Sequence, residues 1–283
     1  MKFEPRKYDV VGIGNAIVDI LSFVDEEFLK AQGIDKGVMT LIDEDRAQEL
    51  YKKVGQTTQI SGGCAGNTTA GIVSLGGKAA YMGRVKNDEL GKTFAHDLNS
   101  MGVASVINPA SDGKATARCF IFVTPDADRT MLTYLGACTE FDENDVDEEL
   151  IKNSKIMYIE GYLWDEPKAK QAIRKAINLA KKHKTKISFS LSDPFCVGRH
   201  RQEFLELLSD IDILFCNEDE AHSIFESDDI KTCVKKFAEK CEIAAITLGK
   251  NGSIIIAEGM VHEIPAKLTD KLVDTTGAGN LYA

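Results

Sequence analysis

The segment 274–283, DTTGAGNLYA, sets two glycines and an alanine behind an acid and two hydroxyls. Backbone N–H groups left free at Gly277, Ala278 and Gly279, where a helix opens, make an anion site. Such a nest suits the negative charge that develops on a phosphoryl group in transfer. An acid directly after it would take the proton of an attacking hydroxyl. This chain has Asn280 there, an amide that accepts no proton at neutral pH. The plainer alternative is a glycine turn ahead of a helix.

Four other stretches carry chemistry of the same kind. In GIGNAIVD, Gly12 and Gly14 fit the first two glycines of a dinucleotide fingerprint, but Ile17 stands at the third and breaks it. A nicotinamide dehydrogenase is therefore disfavoured. Asn15 and Asp19 fall just past the carboxyl end of that strand, where open α/β sheets bind ligands, and an aspartate there can hold two adjacent hydroxyls. Helix capping is the alternative. In SGGCAGNTTAG, glycines at a helix start allow close backbone approach, and Asn67 can both donate and accept. In NEDEA, Asn217 and Glu220 share a face at a helix start; amide oxygen plus carboxylate suits hydrated Mg2+, with a simple N-cap as the alternative. TLGKNG would turn backbone amides toward nucleotide phosphates, or be an ordinary hairpin.

These residues need a frame, and the hydrophobic pattern supplies one. YDVVGIG is a buried strand; GVMTLID is a second, and Asp43 caps the helix after it. CAGNTTAGIVSLGG is a small-residue helix, KAAYMGRV a strand, and DELGKTFAHDLNSMG an amphipathic helix with a glycine stop. Residues 116–136 form two strands about a Pro-Asp turn with no helix between, an antiparallel hairpin. Alternation then resumes, with helices predicted at 142–154, 167–183, 200–209, 218–226 and 229–241 between apolar strands, ending in a late hairpin. Strand-helix repetition with apolar strands implies a parallel sheet covered on both faces. The expected architecture is a doubly wound αβα body with a small β lid in two pieces, roughly 17–43 and 113–135.

The composition narrows the partners. With 34 basic and 44 acidic residues the chain is at −10, without a dense basic run, which disfavours nucleic acid. Seven scattered cysteines form no C-x-x-C and point to neither a disulfide framework nor zinc. No signal peptide or membrane span is evident. A cytoplasmic enzyme is expected, as monomer or homodimer.

Taken in this order, the motifs resemble the PfkB (ribokinase-like) family of carbohydrate and nucleoside kinases, and most closely its adenosine-kinase branch. GGCAGNTTAGIVSLGG looks like the N-terminal signature, DTTGAGN like the C-terminal one, and NEDEA like N-x-x-E. The resemblance implies a three-layer αβα body with a lid, and transfer of the ATP γ-phosphate to a hydroxymethyl group. ATP and Mg2+ are the implied cofactors, with a monovalent cation as a further candidate. By the same resemblance Asp19 and Asn67 bind sugar hydroxyls, and Asn15, Gly62 and Gly63 line the pocket. Arg129 is a lid arginine that reaches the phosphoryl group. Asn217 and Glu220 organise Mg2+ through water. Thr247, Gly249, Gly252, Asp274 and Thr275 border ATP, and Gly277, Ala278 and Gly279 form the anion hole.

The family's general base is an aspartate where this chain has Asn280, so slow phosphorylation is expected. A non-catalytic sugar or nucleoside binder and a kinase of free ribose or a ketose are the alternatives. Adenosine is the first-choice substrate, with Phe23, Phe120, Phe122 and Tyr134 as candidate base-stacking aromatics or plain strand core. The resemblance also implies further helices after Ala283, so part of such a domain is expected outside these 283 residues.

Overall fold

A computed structural model describes residues 5–105, 107, 109–268 and 277–283. In chain order its strands are β1 (Tyr8–Ile13), β2 (Ile17–Phe23), β3 (Met39–Leu41), β4 (Thr58–Ser61), β5 (Ala79–Met82), β6 (Ala104–Ser105) and β7 (Ala117–Val123). They continue as β8 (Arg129–Tyr134), β9 (Ser154–Glu160), β10 (Lys186–Ser190), β11 (Ile213–Asn217), β12 (Ile243–Thr247), β13 (Ser253–Ala257) and β14 (Met260–Ile264). Two sheets result. The larger runs β14-β13-β12-β11-β10-β9-β1-β5-β6 and the smaller β3-β8-β7-β2-β4. From β12 to β6 the large sheet is parallel; β13 and β14 close it antiparallel.

The parallel strands are apolar because helices cover them. Val11, Ile13, Met157, Ile159, Phe189 and Leu214 are buried among side chains of the helices Pro167–His183, Pro194–Leu207 and Glu218–Phe225. The helix Cys64–Ser74 packs against β1, β5 and β9. It is built of small residues, and Gly12 shows why: a Cβ there would press into the Thr69 methyl at 2.7 Å.

Register sets the position of the chemistry. Ile13 lies beside Ile159, Glu160 beside Ser190, and Asn217 beside Thr247. The parallel strands thus end on one rim, with Gly14 and Asn15, Glu160, Ser190, Asn217 and Thr247 along it.

In the smaller sheet Asp19 on β2 faces the same way as Ile60 on β4, Cys119 on β7 and Thr133 on β8. The opposite side packs Ile20, Phe120, Phe122 and Leu132 under the helices Glu26–Ala31 and Glu44–Lys53.

The fold departs locally from the pattern expected. The helix expected at 142–154 is a 3-10 turn, Glu143–Asp145, and a short helix, Glu148–Lys152. Asp142 and Asp147 each cap a fresh start, so one continuous run is interrupted. The helix expected at 200–209 begins instead at Pro194, capped by Asp193 and kinked at His200. Strands β4 and β6, four and two residues long, carry too little pattern to be foreseen.

Candidate active site

Two backbone approaches fix one corner of the rim. A Cβ on Gly62 would land on the Asp19 carboxylate, and one on Gly63 would land on the carbonyl oxygen of Asn15. Gly63 also has φ +81°, a conformation that strains any residue with a side chain. Asn15, Asp19, Gly62 and Gly63 are therefore one packed unit. Asp19 is largely shielded from water, and burial pushes its carboxyl up to about 6.

Glu160, at the end of β9, lies directly behind this corner and is 2% exposed. Its Oε1 accepts from Asn15 Nδ2 at 3.2 Å and its Oε2 from the Ala65 N–H at 3.1 Å. Burial raises this carboxyl to about 7, against the pull of those two donors.

The final helix, Ala278–Tyr282, lies against the helix Cys64–Ser74. Thr68 Oγ1 donates to the Asn280 carbonyl oxygen at 2.9 Å. Gly277 is in the left-handed region, and a Cβ there would stand 4.0 Å from Asn67 Nδ2. A Cβ on Gly71 would meet Leu281 Cδ2 at 2.6 Å, so the absence of a side chain lets the two helices touch. The Cys64 thiol hydrogen-bonds the Asn280 side chain; burial, then the charge of Glu160, holds that thiol well above its ordinary range.

Asn280 and Gly279 line a cleft of about 170 Å3 together with Ser190, Asn217, Glu220 and Thr247. Asn217 caps the helix Glu218–Phe225 in a reciprocal box. Its Oδ1 accepts from the Glu220 N–H at 2.8 Å, while Glu220 accepts from the Asn217 N–H at 3.1 Å and from Nδ2 at 2.7 Å. Burial raises Glu220 to about 7. Among the described residues no three His, Cys, Asp or Glu side chains gather as a metal cage. Asn217 and Glu220 offer one amide oxygen and one carboxylate, a donor pair that would suit a Mg2+ keeping its own waters.

The remaining expected residues lie farther out. Gly249 and Gly252 flank the turn after β12, both with positive φ. Gly252 is required by packing, since a Cβ would fall on the Ile264 carbonyl oxygen. Arg129 opens β8 four residues before Thr133, the residue level with Asp19, or about 13 Å along the strand at ~3.3 Å per residue. Asp274 and Thr275 lie outside the described residues.

Of the candidate stacking aromatics, Phe120, Phe122 and Tyr134 are core on the side of the small sheet away from Asp19. The two-residue alternation of a strand decides this: Phe120 pairs with Ile20, not with Asp19. Phe23 is on the Asp19 side but is 79% exposed at the far end of β2.

The residues missed from sequence are Glu160, Cys64 and Ser190. Glu160 had a visible signal, an acid closing the apolar run KIMYI at a strand's carboxyl end.

Residues 33–282 match the sequence profile of the pfkB family carbohydrate kinases. The chain belongs to that family. This pfkB chain is similar to the crystal structure of adenosine kinase from Sinorhizobium meliloti, at 47% identity and TM-score 0.89, covering 98% of this chain and 85% of that one. It is equally close in shape to a probable sugar kinase protein from Rhizobium etli CFN 42, at 44% identity and TM-score 0.89, covering 98% and 84%. Guanosine-inosine kinase of Escherichia coli K12 is 28% identical over 256 residues, 86% of this chain; the pfkB chain spans 58% of that protein's length. Among the described residues no helix is long and apolar enough to cross a membrane.

Proposed function

We propose that this chain binds a nucleoside of the adenosine type and transfers to its hydroxymethyl group the γ-phosphate of ATP, slowly because residue 280 is an amide. The reading rests on one observation above the others. The Cys64 thiol, one residue past Gly63, hydrogen-bonds the Asn280 side chain, and the Gly277 turn stands beside Asn67 on the same helix.

In this reading Asp19, seated against Gly62, accepts from two sugar hydroxyls, and Asn67 adds a third contact. The hydroxymethyl group then points toward residue 280, which orients it by a hydrogen bond but removes no proton. The amides of Gly277, Ala278 and Gly279 face the charge that develops on the transferred group. Bound ATP would supply that group and leave as ADP, the hydroxyl proton passing to solvent water, and Asn217 and Glu220 would hold hydrated Mg2+, which would offset the charge of the phosphates. Thr247 and Gly249 border the nucleotide. The small sheet acts as a lid, and Arg129 reaches the phosphoryl group only after that sheet swings inward.

Asn280 also favours a second reading, a binding protein without turnover. Substituting Asn280→Asp and measuring ADP release with adenosine separates the two. The kinase reading expects a rate gain of about 10²–10⁴. No gain, together with adenosine binding by calorimetry, leaves the binding protein. The absence of a thermal shift with every nucleoside and sugar in a panel overturns both.

A further inference from the structure

The helix Cys64–Ser74 starts without a cap of its own. Its N-cap residue is Gly63, which has no side chain to offer, yet the first turn of any helix exposes unpaired N–H groups. One of them, on Ala65, is taken by Glu160 from another strand. The other oxygen of the same carboxylate is taken by Asn15. Gly14 leaves the room for this, since a Cβ there would collide with Glu160 Oε2, and Tyr81 OH clamps the Gly14 carbonyl oxygen at 2.8 Å.

A buried carboxylate is costly, and an apolar residue of similar volume would hold β9 as well. Its two donors come from two separate elements, each carrying residues of the polyol corner. Asn15 belongs to the loop after β1, and Asn67 lies one helical position beyond Gly66 on the helix that Glu160 caps.

We propose that Glu160 is a positioning residue: its carboxylate ties the Asn15 side chain to the start of the helix Cys64–Ser74, and so presents Asn15 and Asn67 at one fixed spacing to the bound polyol. This rests on the nucleoside reading above for the identity of the ligand, but not for the tie itself.

The tie needs the ionised form, because a neutral carboxyl or an amide presents one good acceptor to two donors. Most of the groups around Glu160 do not titrate there. Cys64 on the helix, Tyr81 on β5, Cys138 in the turn Gly136–Glu140, Tyr158 on β9 and Tyr162 just after it are all pushed up by burial and stay neutral. Asp19, at about 6, and Glu220, at about 7, are the other groups that bear on Cys64, and Glu160→Gln removes the Glu160 part alone.

The test is calorimetric titration of adenosine into the native chain and its Glu160→Gln and Glu160→Asp variants between pH 5.5 and 8.5, with hydrogen exchange of the Ala65 amide in each. Native affinity should strengthen as pH rises through about 7. Glu160→Gln should bind about tenfold more weakly at pH 8, with that part of the pH dependence gone, and its Ala65 amide should exchange about tenfold faster. Glu160→Asp should recover the pH dependence in part. Native affinity and native pH profile in a folded Glu160→Gln protein overturn the proposal. If Glu160→Gln does not fold, the native Ala65 amide decides: protection that does not change across pH 7 overturns it. If the native chain binds no adenosine, the nucleoside reading falls by itself, and the exchange data still decide for or against the tie.

Discussion

The two sides of the cleft are held by opposite kinds of force. At the floor, Asn15, Asp19 near the start of β2, Glu160 and Glu220 are packed against backbone, and three of the four are acids raised by burial. At the far end of the small sheet, where Arg129 pairs with Val123, the turn before Arg129 is held at the surface. Lys36 bridges Glu26 and Asp126, Thr124 Oγ1 donates to Asp126 Oδ1, and Asp128 Oδ1 accepts from the Arg129 N–H. Hydrogen bonds from Lys36 and Thr124 hold the Asp126 carboxyl down at about 2. The first arrangement gives fixed geometry at the expense of desolvation; the second gives a tip that salt and small motions can adjust. A site of this kind has a rigid floor and a compliant roof.

Three measurements would sharpen or break that contrast. The largest effect belongs to the floor. Gly63→Ala forces a side chain into φ +81° and onto the Asn15 carbonyl oxygen, with a cost of about 3 kcal/mol in urea unfolding and loss of adenosine binding. A neutral result would mean that the corner yields easily.

Next comes the pH dependence of the unliganded protein. Glu160 and Glu220 move from 4.5 to about 7 and Asp19 from 3.8 to about 6, so the folded chain keeps protons that the unfolded chain releases. Stability is fullest below this window and falls as pH rises through it. Melting in metal-free buffer should therefore drop by several degrees from pH 5 to pH 8, and Glu160→Gln should flatten part of the slope. A melting temperature that climbs over that range would contradict the burial of these acids. Ligand affinity carries the reverse sign, since the tie at Glu160 tightens on ionisation.

The smallest effect belongs to the roof. Lys36→Ala should cost little stability, and added salt should erase the difference from the native chain. A large, salt-insensitive loss would make the roof as rigid as the floor.

Which parts could be read in advance follows the same physics. The parallel sheet was legible because buried strands such as DILFCN are unmistakably apolar, and the rim residues followed from where those strands stop. Gly62 and Gly63 were legible as close-approach positions, although what approaches them, Asp19 and the Asn15 carbonyl, is a tertiary fact. Glu160 closes an apolar run and so marks a strand's carboxyl end, but nothing local says that its carboxylate turns inward to the Asn15 amide and the Ala65 N–H. The stacking aromatics failed for a similar reason: Phe120 and Phe122 have the right type, but strand register turns them to the other side. The helix from Pro194 was missed at its start because Asp193 resembles a strand end until its side chain is seen accepting from the Cys196 N–H at 2.7 Å.

The opposite rim of the large sheet has a use of its own. There the Arg6 guanidinium donates to the carbonyl oxygens of Lys152, Ser154 and His183 and to Thr185 Oγ1, at 2.6 to 2.9 Å. That clasp staples the leading segment across β9 and β10 at the end remote from the cleft. Coupling the protein to a bead or an electrode through Lys7 or Lys184 would therefore turn the cleft away from the support.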